Sequence, residues 1–170
     1  PYHAFVGGIL IILLTKAVGT YKYNGLGLET IMSSFSNQLP VYDFLFKIIF
    51  TAVTLGSGFK GGEITCLFFV GSTLGNALSR IIKLPMSLLS GMGFVGVFAA
   101  AANTPIACTV MAIELFGKDV GVYAAIACLT AYLFSGHSGI YESQVIGNEK
   151  HFTFLRIEGR RLGSCSGFGD

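Results

Sequence analysis

The chain has 170 residues, of which 52% are hydrophobic and only 12% charged, with 23 glycines and a formal net charge of +2. Soluble domains carry about 25% charged residues, so this composition reads as a membrane protein. The positive excess is too small to point to a nucleic-acid partner.

The first apolar run extends from Ala4 to about Thr15 and is closed by Lys16. A polar loop, Gly19 to Gly27, leads to a short amphipathic helix expected over Leu28–Phe35, capped by Glu29 and Thr30. Pro40 precedes a run from Val41 to Leu55 that contains Asp43 and Lys47. After a glycine-rich turn, a helix is expected from Glu63 to Ile82, stopped by Lys83-Leu84-Pro85. Met86–Ala102 is small and apolar, and Asn103-Thr104-Pro105 breaks it. Pro105 suits the first position of the next helix, with Thr104 or Asn103 as its cap. That helix runs to Phe116 and ends at Gly117-Lys118-Asp119; another spans Val120–Phe134. A turn, Ser135–Gly139, then leads to a short final helix over Ile140–Ile146.

Several of these runs are about 12–17 residues long, whereas a simple membrane span needs about 20. Short apolar segments interrupted by Gly and Pro are a mark of transporters with broken helices. The opposing reading is a soluble all-α core, for which few residues are available to make a polar outer surface. From Asn148 onward the chain turns polar and ends in Gly/Ser-rich sequence. Residues 1–147 are therefore read as the membrane domain and 148–170 as a separate tail, either native and disordered or added by cloning. Ile157-Glu158-Gly159-Arg160 matches a processing-protease site used in engineered fusions. The start at Pro1, inside an apolar run and with no recognisable signal peptide, is taken to mean that a longer protein has lost its N-terminal part.

The most informative stretch is Gly56-Ser57-Gly58-Phe59-Lys60-Gly61-Gly62-Glu63-Ile64-Thr65. Glycines let backbone approach a ligand closely. A helix start offers unpaired N–H groups and a positive dipole end, which suits an anion. Glu63 reads in two ways. In the plain one it complements the helix dipole as a first-turn acid. In the other it is an acid in a membrane segment, costing about 2.5–3.5 kcal/mol to insert, which usually marks a pathway. If dry, it is neutral near pH 7 and able to donate to an anion or carry a proton; if wet, it stays charged. Thr65 is either a partner lining the same site or an ordinary polar residue of a helix start. The match of Gly56-x-Gly58-x-x-Gly61 to a dinucleotide fingerprint is weak. Arg80 and Lys83 stand where the ribose-binding acid belongs, and Gly91-x-Gly93-x-x-Gly96 repeats the pattern.

Cys66, Cys108, Cys128 and Cys165 show no C-x-x-C spacing, and the three histidines no metal-ligand spacing, so neither a disulfide, a metal site nor a cofactor is expected. Ser135, His137 and Ser138 are close in sequence without an acid–base–nucleophile set, so no enzyme chemistry is read here. Glu114 reads as a buried structural acid or a helix-end residue. Tyr141, taken alone, is an interfacial aromatic.

Residues 56–65 resemble the G-S-G-x-x-G-G-x-[FIV]-x-P segment of the CLC chloride channels and chloride/proton antiporters. Gly91-Met92-Gly93 through Ala99–Ala102, then Asn103-Thr104-Pro105-Ile106 to Ile113-Glu114, is similar to that family's G-M-G…A-A…P…E helix pair. The resemblance runs in order over about residues 4–147. Glu63 and Thr65 depart from the general pattern and resemble the fluoride-exporting branch, in which that Glu and Thr face the ion path. Gly25-Leu26-Gly27-Leu28 and Gly136-His137…Ile140-Tyr141 also look like that branch. Cys66 stands where the family usually has Pro. The resemblance implies an all-α CLC-type fold, of which this is the C-terminal repeat. It implies a fluoride/proton antiporter of the plasma membrane, multi-pass and bacterial, with a chloride or other halide transporter or channel as the alternative. A non-transporting membrane protein or a soluble anion-binding helical domain is the reading from a different class. By the same resemblance Gly62, Glu63, Ile64, Thr65 and Tyr141 form the anion path, and a gating glutamate belongs to the absent N-terminal half. A homodimer would form through about Pro105–Phe116 and Val120–Phe134, whose Ala107, Ala112, Gly121, Ala124, Ala125 and Ala127 permit close packing. The implied partners are fluoride or chloride, protons and membrane lipid.

Overall fold

The computed structural model describes residues 2–59, 61–136 and 139–141. Among these the regular structure is helical throughout: α1 Tyr2–Val18, α2 Leu28–Ser36, α3 Asp43–Gly56, α4 Glu63–Leu78, α5 Met86–Ala102, α6 Pro105–Phe116, a 3-10 turn Lys118–Val120 and α7 Gly121–Phe134. The helices are 9 to 17 residues long. No described helix is long and apolar enough to cross a membrane. Short, interrupted segments were the expectation from sequence.

The helix ends have local causes. α1 runs past Lys16, whose positive charge lies in the last turn and complements the dipole there. Gly19, at φ 72, then turns the chain. At α2 the structure corrects the expected cap. Gly27 occupies the N-cap in a left-handed conformation, no side chain caps the helix, and Thr30 is buried. A side chain at position 27 would run into the Phe69 ring. α4 stops at Leu78, four residues short of Ile82. There the Ser79 hydroxyl donates to the Asn76 carbonyl at 2.6 Å and the Arg80 guanidinium to the Leu39 carbonyl at 2.6 Å. Pro105 opens α6 with Thr104 as its cap residue, and Asn103 takes a φ of 57 at the break. The helix expected over Ile140–Ile146 lies outside the described residues except for Ile140 and Tyr141, which are not helical. Lys60, His137, Ser138, Cys165 and the 148–170 tail also lie outside them.

The chain divides into two compact units, one ending at Phe94 and the other beginning at Val95. In the first, Tyr23, Ile31, Phe50 and Phe69 form the buried centre, flanked by Phe46, Phe68 and Phe94 among others. Within it, α4 meets the first half of α5 backbone to backbone. A methyl group at Gly71 or Gly75 would collide with the carbonyl of Gly93 or Leu89. Small residues at such crossings are how membrane helices gain contact. Gly91 to Gly96 therefore lies inside a helix and is no phosphate loop. Asn76 of α4 ties down the end of α2: its amide donates to the carbonyls of Ser34 (2.7 Å) and Asn37 (2.8 Å), and its oxygen accepts from the Leu39 N–H (2.9 Å). Helix C-terminal carbonyls lack partners of their own, so this buried amide supplies them.

In the second unit α6 packs on α7. Ala112 and Ala124 are fully buried, and Gly121 lies against Ile113. These small residues are thus used inside the chain, while Ala107 is exposed and Ala125 and Ala127 are half-buried. Ile106, Val110, Val122 and Ile126 are exposed.

Candidate functional site

The glycine-rich turn follows α3 directly. Ser57 returns its hydroxyl to the Val53 carbonyl at 2.6 Å. Gly58 takes a φ of 82, a backbone state that side chains disfavour. α4 then begins from Gly62, an N-cap in extended conformation with no side-chain cap. The first N–H groups of a helix have no partners within it, and Gly62 brings no side chain to cap them. Gly61, Gly62, Glu63 and Ile64 are exposed; Thr65 and Cys66 are half-buried. Sequence left the depth of Glu63 open. In this chain its carboxylate is at the surface, in the first turn of α4.

A cavity of about 320 Å³ opens beside this helix start. Gly61, Gly62, Glu63 and Cys66 form one wall, α3 contributes Lys47, Thr51 and Thr54, and Tyr23 to Leu26 close it from the preceding loop. Ile64 and Thr65 are not among its walls. The helical repeat of 3.6 residues explains this, because Glu63 and Cys66 share a face that Ile64 and Thr65 do not. The structure thus brings Gly62 and Glu63 to a common cavity, with Ile64 and Thr65 adjacent in the same turn. Tyr141 belongs to the second unit, exposed and in irregular backbone, one residue after Ile140, whose N–H donates to the Ala101 carbonyl at 2.9 Å.

Behind the cavity lies a set of buried charges that the sequence reading passed over. Asp43 is fully buried, pairs with the Lys22 ammonium and accepts the Tyr23 hydroxyl at 2.7 Å. Burial, reinforced by that hydrogen bond to Asp43, pushes the Tyr23 phenol far above its ordinary range, so it stays a neutral donor. Lys47, 1% exposed, donates to the carbonyls of Tyr23 (3.1 Å) and Gly25 (2.6 Å) and lies 5.0 Å from the centre of the Phe69 ring. The signal was available: two opposite charges four residues apart in a run otherwise apolar. Glu114 is exposed in the last turn of α6, which favours the helix-end reading. Among the described residues no group of His, Cys, Asp and Glu is arranged to hold a metal.

The sequence profile described as voltage gated chloride channel matches residues 1–136. The chain belongs to the voltage-gated chloride channel family. Among similar members, a chloride/fluoride channel protein of Pseudomonas syringae pv. tomato is 51% identical over 157 residues, covering 89% of this chain and 35% of the relative. A voltage-gated ClC-type chloride channel, ClcB, of Salmonella typhimurium is 31% identical, over 83% of this chain and 37% of its own. The crystal structure of a CLC-type fluoride/proton antiporter superposes with a TM-score of 0.77 at 35% identity, over 81% of this chain and 35% of that one. The chain therefore has the all-α fold of these membrane channels and antiporters and spans about a third of the length of such relatives.

Proposed function

We propose that this chain is the C-terminal part of a multi-pass transporter of the bacterial plasma membrane that exports fluoride in exchange for protons. The observation that carries the reading is the start of α4, where Gly62, Glu63, Ile64 and Thr65 open a helix with no side-chain cap at the edge of a cavity. Fluoride is small and strongly hydrated, so only strong donors replace its water. Helix-start amides, the Thr65 hydroxyl and the Tyr141 hydroxyl are donors of that kind. The likeness to a chloride/fluoride channel protein and to a fluoride/proton antiporter supports the choice of fluoride. In this reading Glu63 carries protons, and the Tyr141 hydroxyl is an anion-contacting donor of the path. The transporter is a homodimer through α6 and α7, whose exposed Ile106, Val110, Val122 and Ile126 also suit contact with lipid.

The second reading is chloride or general halide transport, favoured by the likeness to ClcB. The full-length protein in liposomes separates the two. Fluoride flux well above chloride flux, accompanied by proton movement in the opposite direction, is the expected result. Equal transport of both anions would defeat the fluoride assignment.

A further inference from the structure

We propose that Gly7 of α1 is a positioning residue: it seats the glycine-rich turn and so fixes the width of the cavity at the start of α4. Under the transport reading above, on which this consequence rests, that width favours the smaller halide. α1 packs along α3, and Gly7 is buried where it meets the end of that helix. A Cβ built on Gly7 would overlap the Cβ and Oγ of Ser57 and come within 3.5 Å of the Phe59 ring. Ser57 and Phe59 flank Gly58, whose φ of 82 makes the turn. The bare backbone of α1 therefore rests against both neighbours of the turning residue. Ile11 follows Gly7 by one helical turn, on the same face, and lines the cavity together with Gly61, Gly62 and Glu63. One face of α1 thus touches the turn before α4 and the cavity beside its start.

The neighbouring residue supplies a contrast. A Cβ on Gly8 would meet no atom within 4 Å. Alanine is the better helix former, so a methyl at either position favours α1 itself, and only at Gly7 is the missing side chain used. Carbon atoms rest about 3.5–4.0 Å apart, so a methyl at Gly7 forces α1 and the turn apart by about 1 Å. A cavity of about 300 Å³, lined by Tyr2, Val6, Leu10 and Gly56 with Gly7 and Ser57, leaves the packing beside this contact loose. Because Ile11 and Gly62 both line the α4 cavity, moving the turn away from α1 widens it. A wider cavity costs fluoride its close donors and admits the larger chloride.

The test uses the full-length protein in liposomes with four variants: Gly7→Ala, Gly8→Ala, and Gly7→Ala combined with Ser57→Gly or with Ser57→Ala. Two quantities are read, the fluoride-to-chloride flux ratio and the rate at which a small thiol reagent modifies Cys66 of the cavity wall, located by mass spectrometry. In Gly7→Ala the ratio is expected to fall about tenfold and Cys66 to react about threefold faster or more. Gly8→Ala should change neither. Ser57→Gly removes the overlapping atoms and should restore both values, whereas Ser57→Ala keeps the Cβ and should not. A Gly7→Ala protein that loses only stability or maximal rate, with ratio and labelling as in wild type, overturns the proposal. So does a Gly8→Ala protein with the same changes as Gly7→Ala. If Gly7→Ala does not fold, Ser57→Thr takes its place, because it keeps the hydroxyl and adds one methyl at the same contact. If the wild type moves neither anion, or both equally, the transport reading fails and Cys66 labelling decides alone. Faster labelling in Gly7→Ala, reversed by Ser57→Gly, supports the seat; unchanged labelling overturns it.

Discussion

Two regions of the first unit sit side by side and treat polar groups in opposite ways. Around α3 and the 19–27 loop, Asp43 and Lys47 are buried and fully engaged, by Lys22, by Tyr23 and by backbone carbonyls. At the start of α4, Gly62, Glu63 and Ile64 are exposed and no side chain caps the helix. The first arrangement holds the loop and α3 together. The second places an uncapped helix start at a cavity edge. A buried polar group without a partner is costly, so a helix start stays uncapped cheaply only where it is wet or where a ligand completes it. The contrast separates the buried groups that tie α3 to the 19–27 loop from the exposed helix start; Tyr23 and Lys47 of the first and Gly62 and Glu63 of the second line one cavity.

The contrast is open to attack by substitution, each variant made in the full-length protein. Asp43→Ala strips the partner from Lys22 and from the Tyr23 hydroxyl, and about 3 kcal/mol of stability should be lost in thermal or denaturant unfolding in detergent. Gly71→Val forces a branched side chain into the Gly93 carbonyl; a loss of about 2 kcal/mol is expected by the same measurement. Tyr23→Phe removes a single hydrogen bond to a charged group and should cost about 1.5 kcal/mol. Glu63→Gln belongs to the other region and should leave the melting temperature within about 2 °C of wild type. A Glu63→Gln protein as unstable as Asp43→Ala would erase the distinction between the two regions.

Much of this architecture was legible in the sequence because glycine and proline mark the breaks. Pro105 at the first position of α6 and the glycine turn before Glu63 fall where backbone chemistry puts them, whereas α4 ends at Leu78, ahead of the stop expected at Lys83-Leu84-Pro85. The cap of α2 was misread because a steric need acted from a distance. Gly27 is required by Phe69, 42 positions away, and no local pattern records that contact. The same holds for Asn76, whose partners Ser34 and Asn37 lie on another helix end. At the site, the helix start was legible as a motif, whereas the cavity beside it was not. Its walls come from α1, α3, α4 and the loops between them, and only folding brings Lys47 and Glu63 to the same cavity.

Proton uptake driven by an outward fluoride gradient, measured in liposomes carrying full-length Glu63→Gln, tests the central claim most directly. The account predicts that coupled uptake falls by about tenfold or more while the protein stays folded. Coupled uptake equal to wild type would contradict it.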